Sequence, residues 1–114
     1  MADKTLFQKI ADGEIPSDMV YEDELCIAFR DIQPQAPVHI LIVPRKPIPS
    51  LDDLTKEDQE LVGHLFLCAK KIAANEGLHR GYRTVFNCGE EGLQTVPHLH
   101  LHLLGGRVLR WPPG

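Results

Sequence analysis

The run His98-Leu99-His100-Leu101-His102-Leu103-Leu104 sets three histidines at alternate positions with leucine between them. Alternation over seven residues is the pattern of a strand with two unlike faces, so it predicts three imidazoles on one side and Leu99, Leu101 and Leu103 on the other. Residues two apart on a strand are separated by about 6.8 Å and the outer pair by about 13 Å, so the three rings cannot all ligate one ion. A pair of them, joined by ligands from elsewhere, can hold zinc at about 2.0 to 2.3 Å. The row as a whole suits an anion lying along it, with one ring attacking and a neighbour exchanging protons, because the unperturbed imidazole pKa lies near neutrality. The plain alternative is a solvated polar face without a role.

The 114 residues carry a net charge of −4, with 25% charged residues and six histidines. That length reads as one domain, residues 1–114, with a core of its own. No basic run occurs, which argues against a nucleic-acid footprint and leaves a single nucleotide open. Cys26, Cys68 and Cys88 are odd in number and lack C-x-x-C spacing, so neither a disulfide framework nor a structural zinc cluster is indicated, and a reducing, cytoplasmic setting is expected. The opening Met1-Ala2-Asp3-Lys4 has no apolar leader, and no stretch reaches the roughly 18 apolar residues of a membrane span.

Thr5 is expected to cap a short, lid-like helix with Leu6, Phe7 and Ile10 on one face, ended by Gly13 before Pro16. Residues 19–24 read as a strand, Glu22-Asp23-Glu24 as an acidic turn, and the following strand places Leu25, Ile27, Phe29 and Asp31 on one face. Pro34 and Pro37 make the next segment a loop, since proline removes ladder donors. In Val38-His39-Ile40-Leu41-Ile42-Val43, His39 shares a face with Leu41 and Val43. Alone it reads as a satisfied core histidine; beside the row it reads as a ring that sets a neighbour's tautomer. Arg45 and Lys46, among three prolines, read as a solvated connection. Thr55 and Asp58 resemble a capping box opening a long helix, with Leu61, Leu65, Cys68 and Ile72 as its stripe and Gly77 just past its end near Asn75. His64 and His79 read as packing or solvent residues. Tyr82 to Cys88 reads as another strand, and Gly89-Glu90-Glu91-Gly92-Leu93-Gln94-Thr95 as a candidate phosphate cradle that is not a Walker loop. Gly105-Gly106 breaks the ladder, and the terminal Trp111 is expected to dock rather than stay in water.

Five short strands and one long helix predict an α+β fold: a five-stranded antiparallel sheet, the long helix packed on one face, a short N-terminal helix, and the site on the other face. In these residues the chain resembles the histidine triad (HIT) superfamily and, within it, the Hint branch of histidine triad nucleotide-binding proteins. The likeness runs from Leu6-Phe7 through Phe29-Arg30-Asp31-Ile32, Pro37-Val38-His39 and Gly81-Tyr82-Arg83 to Gly105-Gly106-Arg107 and Trp111-Pro112-Pro113-Gly114. A third histidine in the row is similar to Hint, since other branches typically carry glutamine there.

The resemblance implies a homodimer that hydrolyses purine nucleoside 5′-phosphoramidates, such as adenosine 5′-phosphoramidate or aminoacyl-adenylate-like substrates, to AMP. It implies His100 as the nucleophile, His102 as a phosphate contact that assists proton transfer, and His98 and His39 as orienters of the reacting ring. It also implies Asp31 as the ribose partner, a purine pocket of Leu6, Phe7, Ile10, Phe29, Ile32 and Leu41, and a phosphate shell of Asn87, Leu93, Gln94 and Thr95. Thr95 stands where many relatives have serine, and Pro97 where an aromatic is also found. No metal or other cofactor is required, because His102, backbone amides and polar side chains can meet the phosphoryl charge. Two rivals stand beside this reading. One is a metal-binding protein using His98 with His100, or His100 with His102. The other is a nucleotide-binding module whose turnover is incidental. No nucleic-acid or membrane partner is expected.

Overall fold

The computed structural model describes residues 3–114. Five strands, β1 (Met19–Glu22), β2 (Cys26–Arg30), β3 (Val38–Pro44), β4 (Tyr82–Phe86) and β5 (Leu101–Gly105), form one antiparallel sheet in the order β1-β2-β3-β5-β4. The short helix α1 (Leu6–Ala11) precedes the sheet, and the long helix α2 (Gln59–Asn75) joins β3 to β4. This is the α+β architecture expected. Because β5 returns between β3 and β4, the histidine strand lies beside the strand that carries His39.

Register decides which side chains share a face. Ile40 pairs with Leu103 and Ile42 with Leu101, and these four join Cys26, Ala28, Leu65, Cys68 and Ile72 in the core under α2. Leu65 is fully buried there, a burial that contributes about 1.5–3 kcal/mol. Leu41 pairs with His102 and Phe29 with Leu41, so the opposite face carries Phe29, Leu41, Ile27 and Val43, packed against Phe7 and Ile10 of α1. Helix α1 is therefore a core element, not the lid read from its length.

Helix α2 begins and ends as its sequence predicts. Thr55 and Asp58 form the capping box, at a 3-10 turn (Lys56–Asp58) leading into the helix. At the other end Gly77 takes φ +76°, and the Leu78 and Gly77 amides donate to the Ala73 and Ala74 carbonyls, the paired bonds that close a helix around a left-handed residue. Arg30 of β2 ties this end to the sheet through a two-pronged pair with Glu76, at 2.8 and 3.0 Å. Arg45 and Lys46 do more than solvate their loop. Arg45 donates to the Asp23 and Ala11 carbonyls, and Lys46 lies 2.6 Å from Asp58.

The histidine row is strand only from Leu101 onward. Pro97 has no amide to give a ladder, the His98 amide donates back to the Val96 carbonyl, and the Leu99 amide donates to Ile48 in the loop after β3. Alternation survives this bend, because Leu99, Leu101 and Leu103 all reach the core under α2.

Candidate active site

Each ring of the row is held by a partner that fixes its proton. The His100 Nδ1–H donates to the His98 carbonyl at 2.7 Å, which leaves the Nε2 lone pair free. An imidazole attacks through one nitrogen only when the other keeps its proton on an acceptor. Phe7 places its edge against this ring at 4.8 Å between centroids, so one side of His100 is closed by hydrocarbon. His98 is itself immobilised: its Nε2–H donates to the Pro44 carbonyl at 2.8 Å, and the Thr5 hydroxyl donates to its Nδ1 at 3.1 Å. The same Thr5 oxygen accepts the Gln8 amide as the cap of α1.

A second chain of bonds fixes His102. The Gln35 amide donates to His39 Nδ1 at 3.0 Å, which places the His39 proton on Nε2. That proton is donated to His102 Nδ1 at 2.9 Å, so His102 carries its own on Nε2. His102 Nε2 is buried without a partner among the described residues, and an unmet buried donor is the exception in a folded chain. The His98 carbonyl holds the His100 ring, whereas His39 bonds to His102 and not to His100.

Burial pushes all four imidazoles below their ordinary 6.5. His102 falls furthest, to about 4, from desolvation first and then from the neighbouring His100 and His39 rings. At neutral pH the His100 and His102 rings are thus both neutral, with their centroids 4.9 Å apart. A solvated polar face is excluded, because His98, His39 and His100 are all buried.

The remaining residues sort into floor, rim and loop. Phe7, Ile10, Phe29 and Leu41 are buried together as the apolar floor, whereas Leu6 is half-exposed and Ile32 is 93% exposed, a bare apolar side chain next to Asp31. Asp31 accepts the Gln33 amide on Oδ1 and leaves Oδ2 only loosely engaged, 3.5 Å from His39. Asn87 follows β4 half-buried, and Leu93 and Thr95 lie exposed on the loop after it. Leu93 adopts φ +62°, a conformation that costs a non-glycine residue energy and gathers at functional loops. Gly92 has no room for a side chain, since a Cβ there would overlap the Cys88 carbonyl. The Gln94 side-chain amide donates to the Pro49 and Val96 carbonyls at 2.7 and 3.0 Å and so struts the loop.

Asp31, His39 and His102 each offer an atom within 4.8 Å of the others. A cation there would have to break the His39–His102 bond that sets both tautomers, so this trio fits an ion poorly. Sequence reading missed Thr5, Pro44 and Gln35 as the groups that orient the rings. Two of the three act through backbone atoms, which leave no mark on residue identity.

The HIT domain model matches residues 12–109. The chain is 62% identical over 114 residues, covering 100% of both chains, to an uncharacterized HIT-like protein of Synechococcus elongatus. A HIT family hydrolase from Legionella pneumophila superposes with a TM-score of 0.96 at 54% identity, over 97% of this chain and 100% of that one. A histidine triad nucleotide-binding protein from Candida albicans superposes with a TM-score of 0.82 at 30% identity, over 96% of this chain and 83% of that one.

Proposed function

The chain belongs to the HIT domain family, and from that premise we propose that it is a nucleotidyl hydrolase cleaving the P–N bond of purine nucleoside 5′-phosphoramidates to AMP through a covalent nucleotidyl-histidine. The observation that carries this reading is the 2.7 Å bond from His100 Nδ1 to the His98 carbonyl, which leaves Nε2 as a free, neutral nucleophile next to the unmet His102 Nε2–H. His100 Nε2 gives its electron pair to phosphorus, the P–N bond to the amine breaks, and the amine leaves with one added proton. Water then attacks phosphorus, the bond to His100 breaks, AMP forms, and one proton is released. The cycle consumes one water and no net proton. His102 is the group placed to pass that proton and to meet the phosphoryl charge.

The nucleoside half has a matching surface. Asp31 Oδ2 is available to ribose hydroxyls, and the exposed Ile32 beside the Phe29 and Leu41 floor offers apolar area to a purine. A second copy of the chain is proposed as partner. Phe66, Leu67, Val108 and Trp111 are exposed, and Trp111 is met within its own chain by the Arg83 guanidinium, 5.8 Å from the ring. Quenching the enzyme rapidly with adenosine 5′-phosphoramidate and weighing the protein tests the chemistry. An AMP adduct is expected at His100, and none in His100→Ala.

A further inference from the structure

On the face of the sheet away from the histidine row, the turn between β1 and β2 meets α2 at four side chains. Asp23 and Cys26 come from the turn and the start of β2; His64 and Cys68 stand four apart on α2, one above the other. Their ligand atoms all lie within 4.8 Å of one another. The two sulfurs are 3.8 Å apart, His64 Nε2 lies 3.4 Å from the Cys68 sulfur and 2.7 Å from Asp23 Oδ2, and that oxygen is 3.9 Å from the Cys68 sulfur.

We infer that Asp23, Cys26, His64 and Cys68 form a four-coordinate site for one thiophilic divalent cation of the zinc class. With Zn–S near 2.3 Å and Zn–N near 2.0 Å, a tetrahedron has edges of about 3.8 Å between sulfurs and about 3.5 Å between sulfur and nitrogen. The observed sulfur–sulfur and sulfur–nitrogen separations match both edges. Asp23 and His64 stand closer than a shared ion requires, by about half an ångström on the same radii, because a hydrogen bond of 2.7 Å joins them. Two thiolates and an imidazole select a soft or borderline ion over calcium or magnesium.

The surroundings hold the donors in place. Tyr21 donates its hydroxyl to Asp23 Oδ2 at 2.8 Å, and the Leu25 and Cys26 amides both donate to Oδ1 at 2.8 Å. Such outer contacts orient a ligating carboxylate. Both cysteines are buried while His64 and Asp23 are half-exposed, so the ion enters from the histidine side. Binding converts two thiols to thiolates and leaves His64 neutral, so two protons are released for each ion taken up. The ion would clasp the hairpin turn to the long helix, remote from the rings proposed for hydrolysis. Spacing alone hid the site, because no two cysteines are close in sequence.

The test uses the whole chain, reduced and freed of metal, titrated with Co²⁺ and then Zn²⁺. One Co²⁺ per chain is expected, with thiolate-to-cobalt charge-transfer absorption and the intense visible bands of a tetrahedral ion, displaced by Zn²⁺ with two protons released. Cys68→Ser and His64→Ala should each weaken binding at least tenfold, and Cys88→Ser should leave it unchanged. A wild-type chain with reduced thiols that gives no charge-transfer band overturns the site, whatever the variants do. So does a band that survives in the Cys26→Ser, Cys68→Ser variant.

Discussion

His39 Nε2 and His102 Nδ1 lie 2.9 Å apart across neighbouring strands, and this bond decides which nitrogen of His102 carries its proton. The two residues are not direct register partners. His39 faces Leu104 and His102 faces Leu41, so the rings meet diagonally, within the reach that diagonal pairs on one sheet face allow.

Replacing His39 by alanine should therefore act through His102. With Nδ1 unpaired, His102 can carry its proton on either nitrogen, and the donor that faces the site is lost part of the time. A fall in kcat of roughly tenfold to a hundredfold is expected, the size seen when an orienting partner is removed, with KM for adenosine 5′-phosphoramidate little changed. Steady-state kinetics decide this, and an equal loss in a variant lacking His102 ties the two residues to one function.

His100→Ala should abolish turnover while AMP binding survives within about 1.4 kcal/mol, a tenfold step in affinity. In the proposed mechanism the ring makes the bond, whereas the nucleoside is expected to be held by Asp31 and by the floor of Phe29 and Leu41, which pack together. Calorimetry with AMP and a turnover assay on the same preparation separate the two effects. Wild-type turnover in the variant would remove His100 as nucleophile.

The burial of four imidazoles makes stability depend on pH with a definite sign. Between the ordinary imidazole pKa of 6.5 and the value of about 4 for His102, the unfolded chain binds protons that the folded chain refuses. Stability should thus fall as pH falls through that window, each such ring contributing up to about 1.4 kcal/mol per pH unit, and these rings add no slope at higher pH. Because His100 must be neutral to attack, the acid limb of kcat/KM should lie below the ordinary imidazole value. Urea unfolding at several pH values and a pH–rate profile check both; an acid limb above pH 6.5 contradicts the buried, neutral nucleophile.

Thr5→Val keeps the shape of the side chain and removes two bonds at once. The Gln8 amide loses its cap and His98 Nδ1 is left buried without a donor. A lost cap costs about 1 kcal/mol and an unmet buried acceptor about as much again or more, so a loss of about 2–3 kcal/mol is expected. The midpoint of urea unfolding measures it. A turnover loss beyond that of other equally destabilised variants would show that His98 must be held still for His100 to work.

Much of this was legible in the chain because it is local. The capping box at Thr55 and Asp58, the closing glycine at Gly77 and the five strands in order all declare themselves within a few neighbours. The histidine row was legible as a row and misread at its start, where the bond from Leu99 to the Ile48 carbonyl takes the backbone out of the sheet. What was hidden depends on register and distance. Alternation tells which face His39 occupies but not which ring it meets 63 residues later, and nothing near Thr5 announces a partner 93 residues away. The bonds from the Gln94 amide to Pro49 and Val96 are hidden in the same way, since the first spans 45 residues.

Substrate choice follows from the proton on His102. The leaving amine of a P–N bond must be protonated as it departs, whereas the nucleotide that leaves a polyphosphate is already a stable anion, so a site with an imidazole at position 102 rewards the first more than the second. The remote half of a dinucleotide also finds little to grip. Beside the row lies a groove formed by Pro49, Ser50, Gly89, Gln94 and Thr95, whose glutamine has no amide donor to spare and which presents no basic side chain. Binding energy from a distant part of a substrate can lower a barrier only where the protein has groups to bind that part. We therefore expect kcat/KM for adenosine 5′-phosphoramidate to exceed that for diadenosine polyphosphates by at least roughly a hundredfold, about 2.7 kcal/mol of transition-state stabilisation. Parallel steady-state assays measure the ratio. Comparable values, or a preference for the dinucleotide, would show that the proton on His102 does not govern which bond is cut.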